Sequence, residues 1–486
     1  MAKILIIGGG VGGLSAGIYA RLNGHEAKVC EKHFVAGGNL TGWNRNGYHI
    51  DNCIHWLTGT NPASDYYKMW VDLGALGDDI EIVQEGSLFC CEKDGKRVTL
   101  PPSLKALEKE MMAHSQNDDK EIKRFLRAVD FMQGADNIAG ANCNEGINLR
   151  RLASGIGPLL KYYKITTGEL ALRFNSPALR TFITGFWGEY FGALALIYVF
   201  ATFCGKNGAL PRGGSVKMAE RMIDRFKSLG GELRLSCEVV RVNCENGIAR
   251  SVTFADGSEE KADYFVITTD PALVFGKMLD CTMPKSLKQN YQNPKMRRFS
   301  AYHCAFACDT PDLPFEGDLI FDLPDEYVDV LKTRQIIVRG FSHEPSFAPE
   351  GKNIIQTLTF TYEKDSEEFI ALRENNREIY KEKKQKLADI MQMLIEEHCD
   401  SLKGKLKLID VWTPASYKRF VSSEIGSFMS FALPEKYFPI SISGELKEIK
   451  NVVLATQWQQ APGGLPVAAI QGREAIKLVQ KKIGKR

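Results

Sequence analysis

The chain has 486 residues, of which 44% are hydrophobic and 25% are charged, and its formal net charge is +3. This composition is typical of a soluble globular protein, and the length is sufficient for about two or three domains. Because 62 Lys and Arg residues nearly balance 59 Asp and Glu residues, we expect no nucleic-acid partner.

The N-terminal residues form a dinucleotide-binding pattern. The apolar run Lys3–Ile7 predicts a buried strand, and a glycine-rich turn and a small-residue helix over Leu14–Asn23 follow it. In this G-x-G-x-x-G turn, Gly8 permits the tight bend, Gly10 lets the backbone approach a pyrophosphate, and Gly13 lets the helix lie close on the strand. The N–H groups of the first helical turn then face the phosphates, so the motif indicates an adenine dinucleotide site.

An acid at the end of the next predicted strand supports this interpretation. Glu31 lies eighteen residues after Gly13, where a carboxylate accepts hydrogen bonds from the adenosine ribose hydroxyls and disfavours the 2′-phosphate of NADP. The pair Gly37–Gly38 follows the acid. In a two-domain flavoprotein the chain passes beside the cofactor at this point without side chains in the way, so the pair favours FAD over NAD.

Two residues are candidates for proton transfer. His55 follows a predicted strand that returns toward the cofactor, and an imidazole exchanges a proton near neutral pH. The alternative is a hydrogen-bonded packing residue beside Ile54 and Trp56. Tyr417 could donate from its phenol over the flavin, and the alternative for it is core packing.

An uncharged run of twelve residues extends from Ala193 to Cys204. A membrane-spanning helix needs about 20 such residues, so we expect a buried core helix or the wall of an apolar tunnel. A run of aromatic residues suits the same tunnel or plain core: Phe186, Trp187, Tyr190 and Phe191, with Tyr198 and Phe200. Peripheral contact with a membrane, to collect a lipid-like substrate, stays an alternative.

Two later blocks look like further pieces of the nucleotide-binding domain. The second block begins at Leu210 to Gly214 and continues with a predicted helix over Ser215–Leu229. The third is a buried strand, Val452–Thr456, which leads through Gly463–Gly464 to a predicted helix over Pro466–Lys481. The N-terminus of that helix could point at the flavin N1/C2 edge, where reduced flavin carries negative charge. The alternative is a plain strand-to-helix turn.

These blocks predict a discontinuous α/β domain interleaved with an α+β substrate domain. The intervening stretches carry no nucleotide signal, so we expect them to face the substrate. The predicted FAD-binding domain comprises residues 1–103, 209–284 and 441–486, and the predicted substrate domain comprises residues 104–208 and 285–440.

Together the motifs resemble the phytoene desaturase family, FAD-dependent relatives of the amine oxidases that also include carotenoid isomerases and retinol saturases. The resemblance rests on the N-terminal fingerprint, Gly37–Gly38, the Leu210 to Gly214 segment and Gly463 to Pro466, and it covers nearly the whole chain. It implies a glutathione-reductase-like, Rossmann-type FAD domain with a mixed-strand substrate domain, and chemistry at carbon–carbon bonds of long apolar molecules. It also implies FAD contacts from Gly8, Gly10, Gly13, Glu31, Gly38, Val239 (through its backbone to adenine), Gly463, Gly464 and Leu465. We expect five further residues to belong to the same cofactor site: Gly12, Lys32, Gly37, Asn39 and Gln457.

Two departures from the family pattern affect the cofactor contacts. Many members place an arginine directly after the glycine pair, where this chain has Asn39. Near the C-terminus the family often has a Gly-x-Gly or acidic pattern, whereas this chain has the segment from Ala455 to Gln460. Gln457 or Trp458 could there contact the ribityl chain or the flavin face. Because the stretch Gln457–Pro466 has no Cys or His, where amine oxidases attach the flavin, we expect non-covalent FAD.

The resemblance leads to three alternative functions. The first is an FAD-dependent oxidoreductase that transfers hydride between flavin N5 and a C–C or C=C bond of an apolar, polyene or lipid-like substrate, as a desaturase or saturase. The second is a flavin-dependent, non-redox isomerase or hydratase of a double bond, and the third is a flavin amine oxidase. Since the sequence has no second glycine fingerprint, we expect the electron partner to be a quinone, oxygen, another protein or a transiently bound nicotinamide.

The cysteines give no metal signal. Twelve are scattered along the chain and none form a C-x-x-C pair, so we expect no zinc or iron–sulfur site. The nucleotide motif begins at residue 4 and leaves no room for a signal peptide. We therefore expect reduced thiols and a cytoplasmic location, with peripheral membrane contact as an alternative.

Overall fold

The computed structural model describes residues 1–133, 160–438 and 440–484. In chain order, the strands of these residues are β1 (Lys3–Ile7), β2 (Glu26–Cys30), β3 (Gly42–Arg45), β4 (Tyr48–Asp51), β5 (Leu57–Thr58), β6 (Ile82–Val83), β7 (Phe89–Lys93), β8 (Lys96–Thr99), β9 (Gly208–Pro211), β10 (Glu232–Arg234), β11 (Val239–Glu245), β12 (Ile248–Phe254), β13 (Glu259–Lys261), β14 (Tyr264–Ile267), β15 (Phe299–Cys308), β16 (Asp318–Asp322), β17 (Gln335–Gly340), β18 (Asn353–Tyr362), β19 (Leu406–Trp412) and β20 (Val452–Leu454). The helices are α1 (Val11–Leu22), α2 (Asp65–Asp72), α3 (Leu104–Ala113), α4 (Asp119–Gln133), α5 (Thr167–Ala171), α6 (Pro177–Thr184), α7 (Ala193–Cys204), α8 (Gly214–Ser228), α9 (Pro271–Val274), α10 (Lys285–Gln292), α11 (Asp325–Leu331), α12 (Glu363–Asn375), α13 (Arg377–His398), α14 (Pro414–Val421) and α15 (Leu465–Ile483).

A five-stranded parallel sheet, in the order β10-β2-β1-β14-β20, forms the centre of one half of the molecule. Its central strands are covered on both faces, which explains why β1, β14 and β20 consist almost entirely of apolar residues. The strands come from three separated stretches of the chain. Their carboxyl ends share one edge, which is where open α/β sheets bind ligands.

Helix α1 begins at Val11, three residues earlier than predicted. The reason is that the Leu14 N–H already donates to the Gly10 carbonyl at 2.9 Å, so residues of the glycine turn form the first helical turn. Helix α1 can lie close to α15 because Gly472 has no side chain. A Cβ at this position would overlap the carbonyl oxygen of Gly12.

A seven-stranded sheet, in the order β19-β15-β18-β17-β16-β7-β8, forms the centre of the other half. The pair β16–β7 is parallel and the remaining pairs are antiparallel. This arrangement corrects the predicted division, which placed β7 and β8 in the nucleotide-binding domain. Phe89 of β7 packs against Phe182 and Phe186, so the buried face of this hairpin belongs to the core of the second half.

Helix α7 coincides with the uncharged run Ala193–Cys204 and is buried, as predicted. Leu196 and Phe200 are fully covered by the core, whereas Ala195 and Val199 line a cavity. Helix α7 is therefore part of the core and also part of a cavity wall. Among the described helices, none is both long enough and apolar enough to cross a bilayer.

Candidate cofactor and substrate site

A continuous cavity of about 680 Å³ joins the two halves of the molecule. At one end its wall is formed by glycine backbone at the edge of the parallel sheet, including Gly8 and Gly38. At the other end the wall is formed by aromatic side chains, including Trp187 and Phe360. The cavity therefore has the two parts that a long cofactor and an apolar substrate require.

The N-terminus of α1 leaves backbone donors available to an anion. Gly10 is the N-cap of this helix, no side chain caps it, and its first turn has no acidic residue. The first N–H groups of a helix have no intrahelical partner and bind phosphate well. Gly8 has φ +102°, and a Cβ on Gly13 would overlap the Gly8 carbonyl oxygen, so both positions require glycine.

The Glu31 carboxylate is fixed at the tip of β2 by two backbone groups. Its Oε2 accepts from the Gly9 N–H at 2.7 Å and its Oε1 accepts from the His33 N–H at 2.9 Å. A carboxylate has about four lone-pair positions, so each oxygen retains capacity for one more donor. Only 8% of Glu31 is exposed and it lines the cavity, which suits the predicted contact with ribose hydroxyls.

The second glycine pair lies directly against the first glycine turn. Gly37 and Gly38 have φ +125° and +62°, and the Gly37 N–H donates to the Gly9 carbonyl at 2.8 Å. A Cβ on Gly38 would lie 3.1 Å from the Cα of Gly10. Backbone packs on backbone here, so no side chain fills the space beside the cradle.

The C-terminal turn provides a second uncapped helix start at the cavity. Gly463 and Gly464 have φ +82° and +90°, and no side chain caps α15. Gln457 holds this turn: its Oε1 accepts from the Gly464 N–H at 2.9 Å, and its Nε2 donates to the Phe428 carbonyl at 3.3 Å. Trp458, its neighbour, is 2% exposed and also lines the cavity.

Asn39 stands where the family resemblance implies an arginine. Its Nδ2 donates to the Phe428 carbonyl at 2.9 Å, and its buried Oδ1 has no hydrogen-bond partner among the described residues. Lys32 lies nearby, where its Nζ donates to the Arg419 carbonyl at 3.1 Å and burial lowers its pKa. Both residues line the cavity.

These features fit FAD. Glycine backbone approaches the cavity at three places, an acid stands at the ribose position, and a second helix N-terminus faces the same space. Gly13 supports the cradle from behind and does not itself line the cavity. The predicted contact residues that do line it are Gly8, Gly10, Gly12, Glu31, Lys32, Gly37, Gly38, Asn39, Val239, Gln457, Gly463, Gly464 and Leu465.

Five polar side chains on the cavity wall form a group that we call the polar corner: Asn52, His55, His303, Asp318 and Tyr417. His55 Nδ1 lies 3.7 Å from Asp318 Oδ2, and Arg339 Nε lies 4.0 Å from the other Asp318 oxygen. Burial lowers the pKa of His55, and the Arg339 guanidinium lowers it further. His55 therefore stays a neutral imidazole at neutral pH.

Tyr417 connects the other members of the polar corner. Its hydroxyl lies 3.0 Å from His303 Nε2 and 3.0 Å from Asn52 Oδ1, and it accepts from Trp412 Nε1 at 3.2 Å. The His303 ring stacks on Trp412 with centroids 4.5 Å apart. Burial is the main cause that lowers the pKa of His303, to about 3, and the Arg339 guanidinium contributes in the same direction.

Hydrogen bonds link the polar corner to the cofactor end of the cavity. The Phe428 carbonyl accepts from both Gln457 and Asn39. The Asn39 carbonyl in turn accepts from Asn52 Nδ2 at 3.3 Å, and Asn52 bonds Tyr417. The turn before α15 and the polar corner are thus held in one connected arrangement.

The predicted aromatic run divides between cavity and core. Phe186 and Trp187 line the cavity with Trp56, whereas Phe191 is fully covered by the core. Tyr190 is 66% exposed. Both alternatives for this run, tunnel and core, therefore hold for different residues.

Sequence reasoning named His55 and Tyr417, which the structure brings to the polar corner, but it did not name Asn52, His303 and Asp318 as candidates. The latter two lie on β15 and β16, far from His55 in the chain. No local motif marks them. A His and an Asp at apolar strand positions were the available signal, since buried polar residues are uncommon in such strands.

Comparison with known proteins identifies the wider group. The family model described as flavin containing amine oxidoreductase matches residues 11–397. The chain is 23% identical to a 4,4'-diapolycopene oxygenase of Methylomonas sp, over 99% of this chain and 98% of that protein. It is 23% identical to the chloroplastic prolycopene isomerase of Daucus carota, over 87% of this chain and 71% of that protein.

The fold has a solved counterpart. An oxidoreductase from Methanosarcina mazei has a TM-score of 0.61 and 16% identity, covering 99% of this chain and 100% of that one. This likeness confirms the predicted α/β fold class, in which a Rossmann-type domain is combined with a substrate domain.

Proposed function

We propose a reaction from the premise that this chain belongs to the flavin containing amine oxidoreductase family. It is an FAD-dependent oxidoreductase similar to the phytoene desaturases, and its cofactor is FAD. The proposed reaction transfers hydride between the flavin and a C–C or C=C bond of an apolar, polyene-type substrate, as a desaturation or a saturation.

The observation that carries this proposal is the continuity of the cavity. The cavity that the glycine cradle lines is also lined by Trp56, Phe186, Trp187 and Phe360. Aromatic and aliphatic walls of this kind bind an apolar molecule by the area that they remove from water. The names of the relatives, which refer to diapolycopene, prolycopene and diapophytoene, support the same substrate class.

Bound FAD would supply the hydride acceptor or donor. The residues of the chain bind and orient the substrate, exclude water, and hold a proton. In a desaturation the substrate loses a proton as well as a hydride. We propose that His55 takes up this proton at Nε2, because Nδ1 faces Asp318. We propose that Tyr417, which is 4% exposed and whose pKa burial raises, keeps its proton and orients Asn52 and His303.

The cavity is poorly suited to an amine. A buried ammonium group is stabilised by a carboxylate or by aromatic faces, because an unpaired buried charge is costly. Of the carboxylates on the cavity wall, Asp318 already faces His55 and Arg339, and Asp270 accepts from the Tyr291 hydroxyl at 2.6 Å. Neither of these two carboxylates is left for an amine, which favours the polyene proposal over an amine oxidase.

We also propose that the substrate enters from a membrane surface. Phe438 and Ile440 line the cavity and are 49% and 73% exposed. Exposed apolar side chains at a cavity entrance favour contact with lipid. A polyene dissolved in a bilayer would then reach the cavity without crossing water.

The test is an anaerobic reaction with a defined acceptor. The purified protein is expected to be yellow and to release FAD on heating. With a partially saturated polyene and a soluble quinone, we expect a product with one more double bond and one quinol formed per product molecule; for a saturase, chemically reduced enzyme would shorten the conjugated system instead.

Each other result selects a different function. A rearranged double bond with no acceptor consumed would replace the redox reaction by an isomerisation. Peroxide formed from a primary or secondary amine would replace it by amine oxidation. A colourless protein that stays colourless after FAD is supplied would contradict the flavoprotein assignment.

A further inference from the structure

Phe428 lies where the cofactor end of the cavity meets its substrate part. Its carbonyl oxygen accepts from Asn39 Nδ2 at 2.9 Å and from Gln457 Nε2 at 3.3 Å. Asn39 directly follows the glycine pair of the cradle, and Gln457 holds the turn before α15 through the Gly464 N–H. The backbone of Phe428 is therefore fixed by both of the elements that we expect to hold the cofactor.

The residues after Phe428 pack on the same turn. The Ser430 N–H donates to the Pro462 carbonyl at 3.0 Å, and a Cβ on Gly464 would lie 3.4 Å from the terminal carbon of Met429. Phe428 and Met429 both line the cavity. These two side chains thus lie beside the helix start that we expect to face the flavin.

The ring of Phe428 belongs to the substrate part of the cavity. Its centroid lies 5.8 Å from that of Tyr417 in the polar corner, and 5.5 Å and 6.4 Å from those of Phe299 and Phe360. Three aromatic neighbours therefore hold the ring in place. Because Phe428 is only partly buried, the ring that these contacts fix still presents a surface to a bound molecule.

A long polyene needs a fixed surface at this point. Its repeating units are chemically alike, and burial of apolar area has no direction, so an apolar tunnel alone holds the chain about equally well in several positions. Hydride transfer occurs only at a bond that is held within about 3–3.5 Å of the reacting atom. A planar ring that is fixed to the cofactor elements selects one position, because a conjugated chain packs best against it in a defined offset.

We propose that Phe428 determines which carbon–carbon bond of the polyene lies at the flavin, and therefore where the double bond is introduced or removed. Asn39 is a positioning residue in this arrangement, because its Nδ2 fixes the Phe428 carbonyl. This inference rests on the proposed function and adds to it the positional selectivity of the reaction.

The test locates the reacted bond in the product. FAD-loaded protein is given a partially saturated polyene with several similar saturated bonds and a soluble quinone, or, for a saturase, a conjugated polyene after chemical reduction. The positional isomers are separated by liquid chromatography and identified by NMR. We expect one isomer to make up most of the wild-type product.

Phe428→Leu retains most of the apolar area but loses the planar ring. It should leave KM near the wild-type value, lower kcat about tenfold and give a mixture of isomers, because a displacement of about 1 Å at the reacting bond costs up to about 10²-fold in rate. Its FAD dissociation constant, from flavin fluorescence, should stay near that of wild type. Phe428→Tyr, which retains the ring, should retain the wild-type isomer.

Two further variants separate positioning from packing. Asn39→Leu removes the donor to the Phe428 carbonyl and should give the same mixture at saturating FAD, and the double variant with Phe428→Leu should change the mixture no further. Phe203→Leu is the matched control, because Phe203 is buried in α7 and does not line the cavity. Its product should be that of wild type.

The outcomes separate this inference from the proposed function. The wild-type isomer from Phe428→Leu, or the same mixture from Phe203→Leu, would overturn the role of Phe428 while polyene turnover still supported the function. Loss of FAD from Phe428→Leu would also overturn it, because the ring would then serve the cofactor. If the wild-type protein left every polyene unchanged and oxidised an amine with release of peroxide, the proposed function itself would be wrong.

Discussion

His303 is a buried histidine that stays neutral in the folded protein. Its pKa in the fold is about 3, whereas an unfolded histidine has a pKa of about 6.5. As pH falls through the window between these values, the unfolded state takes up a proton that the folded state does not. The free energy of unfolding should therefore decrease below about pH 6.5, by as much as roughly 1.4 kcal/mol per pH unit from this residue.

The measurement is urea unfolding of the apoprotein between pH 7 and pH 4, for wild type and His303→Gln. The glutamine can still bond Tyr417 but cannot titrate, so its stability should depend less steeply on pH. His114→Gln is the control, since His114 is partly exposed beside Glu110. Equal slopes for wild type and His303→Gln would contradict the neutral buried state of His303.

The sequence indicated more of the residues that form the glycine cradle than of those that form the polar corner. Gly8, Glu31 and Gly37–Gly38 lie within one continuous stretch, where spacing alone carries the geometry. His303 and Asp318 reach the cavity only through the pairing of strands in the seven-stranded sheet. Local spacing does not encode such pairing, so no motif could have placed them beside His55.

Gly13 and Gly10 are required for different reasons, the first for the packing of the fold and the second for space in the cavity. A Cβ on Gly13 would overlap the Gly8 carbonyl oxygen, whereas a Cβ on Gly10 has no neighbour closer than 3.8 Å. Gly10 also has an ordinary extended conformation, with φ −72°. Alanine at 13 therefore strains the fold, and alanine at 10 places a methyl group in the cavity where the pyrophosphate would pass.

We expect Gly13→Ala to destabilise the apoprotein by about 2 kcal/mol or more, because overpacking of a close contact usually costs 1–3 kcal/mol. Gly10→Ala should leave apoprotein stability nearly unchanged and weaken FAD binding at least tenfold. Urea unfolding of the apoprotein and FAD titration by flavin fluorescence distinguish the two. If both variants lost stability equally, the separate roles of the two glycines would be wrong.

The bounds of helices and strands with a clear local sequence pattern were predicted closely, but the strands that pair with them in a sheet were not. The helix predicted over Ser215–Leu229 is α8, Gly214–Ser228, and the strand predicted over Lys3–Ile7 is β1, with the same bounds. The hairpin of β7 and β8 was assigned to the wrong half. Its own alternation of side chains does not reveal that β16 lies beside it.

At the scale of the whole molecule, the cavity connects the two halves and opens beside exposed apolar residues. The glycine cradle lies at the parallel sheet, the polar corner lies at the seven-stranded sheet, and Phe438 and Ile440 line the same space. Cofactor site, substrate site and entrance therefore depend on how the two halves assemble. Discontinuous blocks in the sequence predicted interleaving, but not the shape of the space between them.

The exposed apolar residues beside the cavity lead us to predict that the protein binds lipid vesicles through them. Ile440 is 73% exposed at the cavity, and Leu172 is 72% exposed but does not line it. We expect Phe438→Ser with Ile440→Ser to weaken the affinity for phosphatidylcholine vesicles, measured by co-sedimentation, at least about thirtyfold, because each inserted apolar side chain contributes roughly 1–2 kcal/mol. Turnover of a polyene supplied in those vesicles should fall in parallel, whereas turnover of the same polyene in detergent should stay near wild type.

The control variant Leu172→Ser should change neither vesicle binding nor turnover. If the double variant bound vesicles as well as wild type did, or lost activity equally in detergent, entry from a membrane through these two residues would be wrong.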